Sequence, residues 1–315
     1  MSYPSYVLKR VLSSTFILFA ASVAIFSIIR LIPGDPASLA LGEAATPEAL
    51  ERVRIQMGLH LPIWEQYVAW ITDIMFLDVG ESLISGYPIA TLLEVRFPRS
   101  LQLAFSALFI AVVLAIPLGV TAAVNRNTRR DYVALVFSQA GISVPSFLVG
   151  IILILVLSGW LNLFPATGYQ PLFEDPIGNL HHLILPAFAM GLINAAILTR
   201  FVRSEMLDVL NEDYVKTARA FGHPQKRIIR KYVMKNAMIP TITVIGLRFG
   251  GIIGGVVVIE TVFVYPGIGL MILDSLLARD YTTLQVSLLL VATAFIFVNL
   301  IVDLLYGWLD PRIKY

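Results

Sequence analysis

The amino-acid sequence predicts an all-α, polytopic membrane protein, and three observations support that prediction. The mean hydropathy of the 315-residue chain is +0.80, and 57% of its residues are hydrophobic. Only 14% of the residues are charged, compared with about 25% in typical soluble domains. The apolar residues also form continuous runs, whereas the strands of a membrane barrel alternate apolar and polar residues. Helical spans therefore explain the sequence better than strands.

Six apolar runs approach or exceed the roughly 20 helical residues that cross a hydrocarbon core. One of them contains Arg248, and the others contain no charged residue. The runs cover residues 11–29, 101–124, 133–157, 183–199, 239–259 and 282–302. The first span, at about 11–32, and a long external connection make up an N-terminal unit of residues 1–100. A five-span core then occupies residues 101–307, and residues 308–315 form a cytoplasmic tail.

The first run follows Lys9 and Arg10, as the apolar region of a secretory signal peptide would. Arg30-Leu-Ile-Pro-Gly-Asp-Pro follows it, however, in place of a small-residue cleavage site. We therefore expect a retained span, with Arg30 snorkelling to the interface. The sequence has no cysteine, which excludes disulfides, Cys-ligated zinc and thiol catalysis. We expect neither a catalytic residue nor a metal site in this chain.

The distribution of Lys and Arg predicts the orientation of the spans. The connections in chain order contain two (the N-terminus), four (33–100), three (125–132), none (158–182), nine (200–238), one (265–281) and two (the C-terminus). Because the 33–100 connection also contains nine acidic residues and is net acidic, basic connections alternate with connections that are not basic, and basic connections face the cytoplasm. Both termini are therefore predicted to be cytoplasmic, in a chain that crosses the membrane six times. The 33–100 connection is predicted to be external.

Residues 213–240 contain seven Lys or Arg residues and one acidic residue, Asp213. The spacing of apolar residues predicts two amphipathic helices, roughly 203–221 and 225–236. A break at residues 222–224 separates them, because Gly permits a turn and Pro cannot continue a helix. A membrane-surface helix, a nucleic-acid site and a docking site for a soluble partner are all compatible with the basic charge. Docking also explains the break, and no aromatic residues are interleaved as in nucleic-acid sites, so we favour a protein partner.

The stretch DYVKTARAFGHPQKRIIRKYVMKNAMIP resembles the cytoplasmic "EAA" loop of ATP-binding-cassette (ABC) importer permeases. More narrowly, it is similar to that loop in the dipeptide/oligopeptide/nickel permease family. The glycine of the motif falls on Gly222, and its second alanine falls on Ala218. Lys216 and Thr217 occupy the positions of the usual Glu and Ala, so the role of that Glu is not carried over to this chain.

Two further stretches extend the resemblance over essentially the whole chain. FSIIRLIPGDPA, at residues 26–37, resembles the end of the first span in the first permease subunit of peptide importers. ETVFVYPGIGLMILDSLLARDY, at residues 260–281, resembles the connection before the last span of that family. The three matches occur in the order that the family requires.

The resemblance implies a type I ABC importer permease fold of six spans, in which a cytoplasmic loop at about 203–238 couples the chain to an ATPase. It also implies four partners: a second permease subunit, two ATP-binding subunits and an external solute-binding protein. The cargo would be di- or oligopeptides, with nickel or glutathione as alternatives. The residues implied at the ATPase contact are Lys216, Thr217, Ala218, Arg219, Gly222 and Pro224.

The chain itself is not expected to be an enzyme or to bind ATP. It contains no G-x-x-x-x-G-K-[ST] phosphate loop and no Gly-Lys dipeptide. A transporter without its own phosphate loop needs a partner that has one, so ATP and Mg²⁺ are expected to be bound by the ATPase subunits.

Charged and polar residues inside the spans are candidates for function. Arg248 lies in the middle of the fifth run, and it can either line a translocation cavity or form an ion pair with another helix or subunit. Gln139 and Ser143, in the most polar stretch within a span, are further candidates for the cavity. An ion-coupled secondary transporter would need buried carboxylates or histidines as relays. Glu260 and Asp303 lie near the ends of their spans, so the sequence supports that alternative weakly.

Overall fold

A computed structural model describes residues 3–31, 37–38, 46–56 and 58–309 of the chain. Within these residues the regular structure is helical, apart from one isolated bridge between Glu81 and Pro88. The predicted all-α fold class is therefore confirmed. The end of the predicted tail, residues 310–315, and most of the connection immediately after the first span lie outside the described residues.

Eleven helices in the described residues build the fold. In chain order they are α1 (Tyr3–Arg30), α2 (Pro47–Gln56), α3 (Ile63–Met75), α4 (Ile89–Val124), α5 (Arg129–Ser143), α6 (Ser146–Trp160), α7 (Pro176–Leu210), α8 (Asp213–Ala220), α9 (Gln225–Val262), α10 (Ile268–Ala278) and α11 (Tyr281–Leu309). Helix α6 ends in π-helical turns, and α9 contains a π-helical segment at Ile228–Val233.

Five of these helices, α1, α4, α7, α9 and α11, are long and apolar enough to cross a membrane. Helices α5 and α6 pass the same test together, although they are bent by 101° where they meet. The bend occurs at Val144 and Pro145, because proline disfavours a helical conformation in the residue before it; Val144 is extended. With the bent pair counted as one broken span, the described residues contain the six predicted spans.

The structure corrects two helices of the predicted cytoplasmic loop. Residues 203–210 do not begin a separate amphipathic helix but complete α7, which ends at Leu210. Their apolar residues continue the 3.6-residue repeat of the span, so Met206 and Leu210 are buried in line with Val202. Residues 225–236 are likewise the first turns of α9, which continues without a break through the π-helical segment into the fifth span.

Small residues bring α4 and α7 together at the centre of the bundle. A row of buried alanines follows one face of α4, and small residues let membrane helices approach closely. Gly191 of α7 lies so near that a Cβ atom there would be 2.9 Å from the carbonyl oxygen of Ala107. Gly119 of α4 lies as close to the side chain of Val202. The buried alanines of α4 are Ala104, Ala107, Ala111, Ala115, Ala122 and Ala123.

Ion pairs connect helices that are distant in sequence. Asp131 of α5 is buried and accepts two hydrogen bonds from the Arg203 guanidinium of α7, at 2.6 and 2.8 Å. Arg10 of α1 lies 3.2 Å from the carboxylate of Asp303 in α11. Arg30 stacks on the Phe26 ring and donates to the Gln66 amide oxygen at 3.0 Å.

A buried carboxylate fixes the turn after α9. Glu260 is completely buried and accepts hydrogen bonds from the Ser100 hydroxyl of α4 and from the backbone N–H of Leu270, the latter at 3.0 Å. The Ser100 oxygen in turn accepts from the backbone N–H of Ile268 at 2.7 Å. A Cβ atom at Gly267 would overlap both the Glu260 carboxylate and the Ser100 hydroxyl. Glu260 therefore holds α9, α4 and α10 together as a hydrogen-bond acceptor.

Candidate functional site

Helix α8 is a short amphipathic helix that lies on the end of the bundle. Asn211 and Glu212 separate it from α7, and its eight residues include two buried ones, Val215 and Ala218. The spacing of three residues places both on one face of the helix. The remaining side chains are exposed, so α8 presents a polar outer face.

The buried face of α8 is part of a hydrophobic cluster that it shares with the ends of three spanning helices. Val215 and Ala218 belong to a hydrophobic cluster to which α4, α7 and α9 also contribute. A displacement of α8 would therefore act on all three spans, because close-packed apolar contacts transmit displacement. The buried members of the cluster are Ala123, Val202, Met206, Leu210, Val215, Ala218, Ile228, Val233 and Ala237.

The predicted break after α8 is a Schellman motif. The backbone N–H of His223 donates to the carbonyl of Ala218 at 3.2 Å, and that of Gly222 donates to Arg219 at 2.9 Å. Gly222 has a φ of +74°, in the left-handed region that favours glycine, and a Cβ atom there would meet nothing within 4 Å. The backbone conformation therefore requires glycine at this position, although there is room for a larger side chain. Pro224 follows as the cap of α9.

Two further contacts hold α8 against the start of α9. The Asn236 amide donates to the Tyr214 hydroxyl at 2.9 Å. The His223 ring stacks on Tyr232, with 5.9 Å between ring centroids and 20° between ring planes. The α8 helix, its Schellman turn and the first turns of α9 therefore form one surface, which we call the coupling surface (residues 213–235).

The basic residues of the coupling surface point outward. All seven are exposed, and Lys216 lies 2.8 Å from the Asp213 carboxylate. The hydrogen bond from Lys216 holds the pKa of Asp213 below its usual range. The seven are Lys216, Arg219, Lys226, Arg227, Arg230, Lys231 and Lys235.

The sequence-predicted contact residues fall into two groups. Lys216, Thr217, Arg219, Gly222 and Pro224 are exposed on the coupling surface, where a partner can reach them. The sixth, Ala218, is buried beneath α8, so its position suits packing rather than contact with a partner.

Sequence reasoning missed Phe221, at the C-terminal end of α8. Its side chain is 79% exposed beside the basic residues. An apolar residue in an amphipathic segment predicts burial, so the sequence offered no signal for this exposure. Exposed aromatic side chains are typical anchors of protein interfaces.

A groove of about 560 Å³ lies between α6, α7 and α9. Arg248 lines it, as one of the two predicted alternatives requires. Gln139 and Ser143 are exposed and do not line the groove, whereas the nearby Ser146 does. The lining residues are Ser146, Met190, Ile193, Asn194, Ile197, Phe201, Val244, Leu247, Arg248, Gly251, Ile252 and Gly255.

The glycines beside the groove differ in what they face. Gly250 packs against Asn299 and Phe295 of α11. Cβ atoms at Gly251, Gly254 and Gly255 would meet nothing within 4 Å, so this stretch of α9 has an open face. The groove is bordered by that face.

Comparisons with known proteins agree with this architecture. Residues 115–315 match the family described as binding-protein-dependent transport system inner membrane component, and residues 4–104 match the N-terminal domain of the same systems. The chain belongs to this family. It is the permease subunit of an ABC importer, a multi-pass protein of the cytoplasmic membrane.

Curated relatives match along almost the whole chain. The glutathione transport system permease protein GsiC of Escherichia coli (strain K12) is 38% identical over 314 residues, which cover 99% of each chain. A putative peptide transport system permease protein of Brucella abortus (strain 2308) is 36% identical over 309 residues, 98% of each. These relatives agree with the peptide/nickel permease family recognised from the coupling loop.

A solved structure supports the fold. The chain superimposes on an amino acid ABC transporter with a TM-score of 0.52 at 13% identity. The match covers 71% of this chain and 95% of the other. At this identity the similarity concerns the fold alone, and it agrees with the predicted permease fold.

Proposed function

We propose that this permease imports short peptides or the tripeptide glutathione, and that two ATP-binding subunits drive it through the coupling surface. One observation carries the coupling proposal: α8 buries Val215 and Ala218 in a cluster shared with three spans while it exposes its charged face and Phe221. A helix that joins such a cluster on its inner face and a partner on its outer face is placed to transmit motion. The cargo class is supported by the glutathione and peptide permeases to which the chain is similar.

The proposed orientation places the coupling surface and both termini in the cytoplasm. It is supported by the charges of the connections, because the two internal connections with a net positive charge, 125–132 and 200–238, adjoin each other. Ala123 contacts the cluster beneath α8, and the Asp131–Arg203 pair joins the same ends of α5 and α7. The acidic external connection then faces the side on which a solute-binding protein delivers cargo.

The mechanism proposed is alternating access between two permease subunits. ATP and Mg²⁺ bound by the ATPase subunits supply the energy, and this chain contributes the mechanical contact. When the ATPases close, α8 moves with them and displaces the inner ends of α4, α7 and α9, on which it packs. The groove beside Arg248 then opens to the outside and receives cargo, and hydrolysis reverses the movement.

The coupling proposal is tested by reversing charge on the outer face of α8. In the complex with the second permease subunit, we expect Lys216→Glu combined with Arg219→Glu to lose the ATP-binding subunits on co-purification. The matched control, Arg52→Glu combined with Arg54→Glu, makes the same charge change at exposed positions of α2, in the connection proposed to lie on the other side of the membrane. Retention of the ATPases by the α8 variant, or equal loss in both variants, would reject the coupling surface as their docking site.

A further inference from the structure

We infer that Arg248 binds the carboxylate group of the cargo within the groove. This inference rests on the proposed import function and specifies the chemistry that the pathway recognises. Arg248 lies 14 residues before the end of α9 at Val262, which corresponds to about 21 Å of helix rise. The guanidinium is therefore deep in the span, where a charged group needs an anionic partner or water.

Several other charged residues of the spans are paired within this chain. Arg203 is bound to Asp131, Arg10 to Asp303, and Glu260 to Ser100 and the backbone. Arg248 differs from them, because no residue that the structure describes accepts a hydrogen bond from its guanidinium or forms an ion pair with it. Its partner is therefore to be sought among molecules that enter the groove or border it.

The shape and lining of the groove suit a short peptide. Its volume of about 560 Å³ is in the range of small-molecule sites, roughly 300–1,000 Å³. Met190, Ile193 and Phe201 supply apolar wall. Asn194 donates its amide N–H to the Met190 carbonyl at 3.0 Å, which leaves its side-chain oxygen to accept from a peptide N–H. The open face at Gly251 leaves space beside the guanidinium.

The chemistry of Arg248 selects among the cargoes that the sequence left open. A guanidinium presents a planar pair of N–H donors that matches the two oxygens of a carboxylate. Peptides and glutathione both carry a C-terminal carboxylate. A nickel cation would instead be repelled by the positive charge, and such like-charge contacts discriminate against a ligand. The groove therefore favours carboxylate-bearing organic cargo over a bare metal ion.

The test compares one peptide in two forms in proteoliposomes that contain the complete importer and its binding protein. The probes are tri-alanine and tri-alanine amide, which differ only in the C-terminal carboxylate. For Arg248→Gln we expect uptake of tri-alanine to fall about tenfold relative to the unchanged importer, since charge-assisted hydrogen bonds are worth at least that factor. Uptake of the amide should change less than about twofold. Arg248→Lys should restore the uptake of tri-alanine only in part, because an ammonium keeps the charge but lacks the bidentate geometry.

The ratio between the variant and the unchanged importer cancels any preference of the binding protein itself. Arg130→Gln, the same substitution at an exposed position outside the groove, should leave both uptakes unchanged. An equal fall for both peptides with Arg248→Gln would overturn the inference and point to an ion pair with the second permease subunit. Unchanged uptake would overturn it as well. If the unchanged importer takes up neither tri-alanine nor glutathione, the proposed cargo class is wrong. This result needs no variant, so it is distinguishable from failure of the Arg248 inference.

Discussion

In the proposed orientation, a buried apolar cluster and exposed hydrogen bonds hold the inner end of α9, whereas hydrogen bonds to a buried carboxylate hold its outer end. Ile228 and Val233 pack beneath α8, and the polar groups of that region face outward. Glu260, at the other end, directs its polar atoms inward to Ser100 and Leu270. Apolar contact is non-directional and permits small shifts, whereas hydrogen bonds weaken steeply as their angle changes. The inner end is therefore suited to movement and the outer end to a fixed geometry.

The largest expected effect on stability comes from Glu260→Ala. The substitution leaves the Ser100 hydroxyl and the Leu270 N–H without their acceptor in a buried site, and each unsatisfied buried donor costs about 1–3 kcal/mol. We expect the free energy of unfolding to fall by about 3 kcal/mol or more, measured by titration of the detergent-purified permease with a denaturing detergent.

The matched control for that measurement is Glu94→Ala. Glu94 lies at an exposed position of α4, where surface substitutions usually change stability by less than about 0.5 kcal/mol. Equal stability of the two alanine variants would show that the Glu260 contacts do not fix the outer end.

Two glycines sharpen the comparison, because one is required for space and the other for conformation. At Gly267 a Cβ atom would overlap the Glu260 carboxylate, so Gly267→Ala should destabilise the permease by about 2 kcal/mol through overpacking. At Gly222 the space is open and only the φ of +74° is unfavourable, so Gly222→Ala should cost about 1 kcal/mol.

The two glycine variants are compared by the same detergent titration. The order of the two effects is the prediction, and Gly222→Ala being the more destabilising would contradict it. The difference between the ends of α9 would then not lie in how tightly each is packed.

Hydropathy located all six spans, because continuous apolar runs are a strong local signal. The break at residues 222–224 was equally local, since Gly and Pro act through their own backbone. The predicted helices 203–221 and 225–236 were wrong in extent because the apolar repeat is the same in a span and in an amphipathic extension of it. The periodicity of the apolar residues alone therefore does not show where the span ends and its extension begins.

Contacts between distant residues were beyond the sequence. Glu260 and Ser100 are 160 residues apart, so no spacing rule connects them. Arg248 was foreseen as a lining residue of a cavity, but the lack of a partner among the described residues required coordinates. Gln139 and Ser143 were predicted to be cavity residues because they are polar, but polarity does not show which side of a helix faces the groove. The exposure of Phe221 likewise depends on how α8 is seated on the bundle.

The smallest expected effect on stability, and the sharpest test of the inner end, is Phe221→Ala. The ring is 79% exposed, so its removal should change the free energy of unfolding by less than about 0.5 kcal/mol. If the coupling surface docks on an ATPase, however, an aromatic anchor at its edge should contribute about 2 kcal/mol to binding. We therefore expect the affinity for the ATP-binding subunits, measured by surface-immobilised titration, to fall by at least about tenfold.

Phe173→Ala is the matched control, because that ring is 98% exposed in the connection between α6 and α7, on the opposite side of the proposed membrane orientation. It should leave both stability and ATPase affinity unchanged. Loss of affinity in both variants would indicate a general effect of removing surface aromatics. Loss in neither would leave the charged residues as the source of docking energy, and would show that the inner end is recognised by its electrostatics rather than by an apolar anchor.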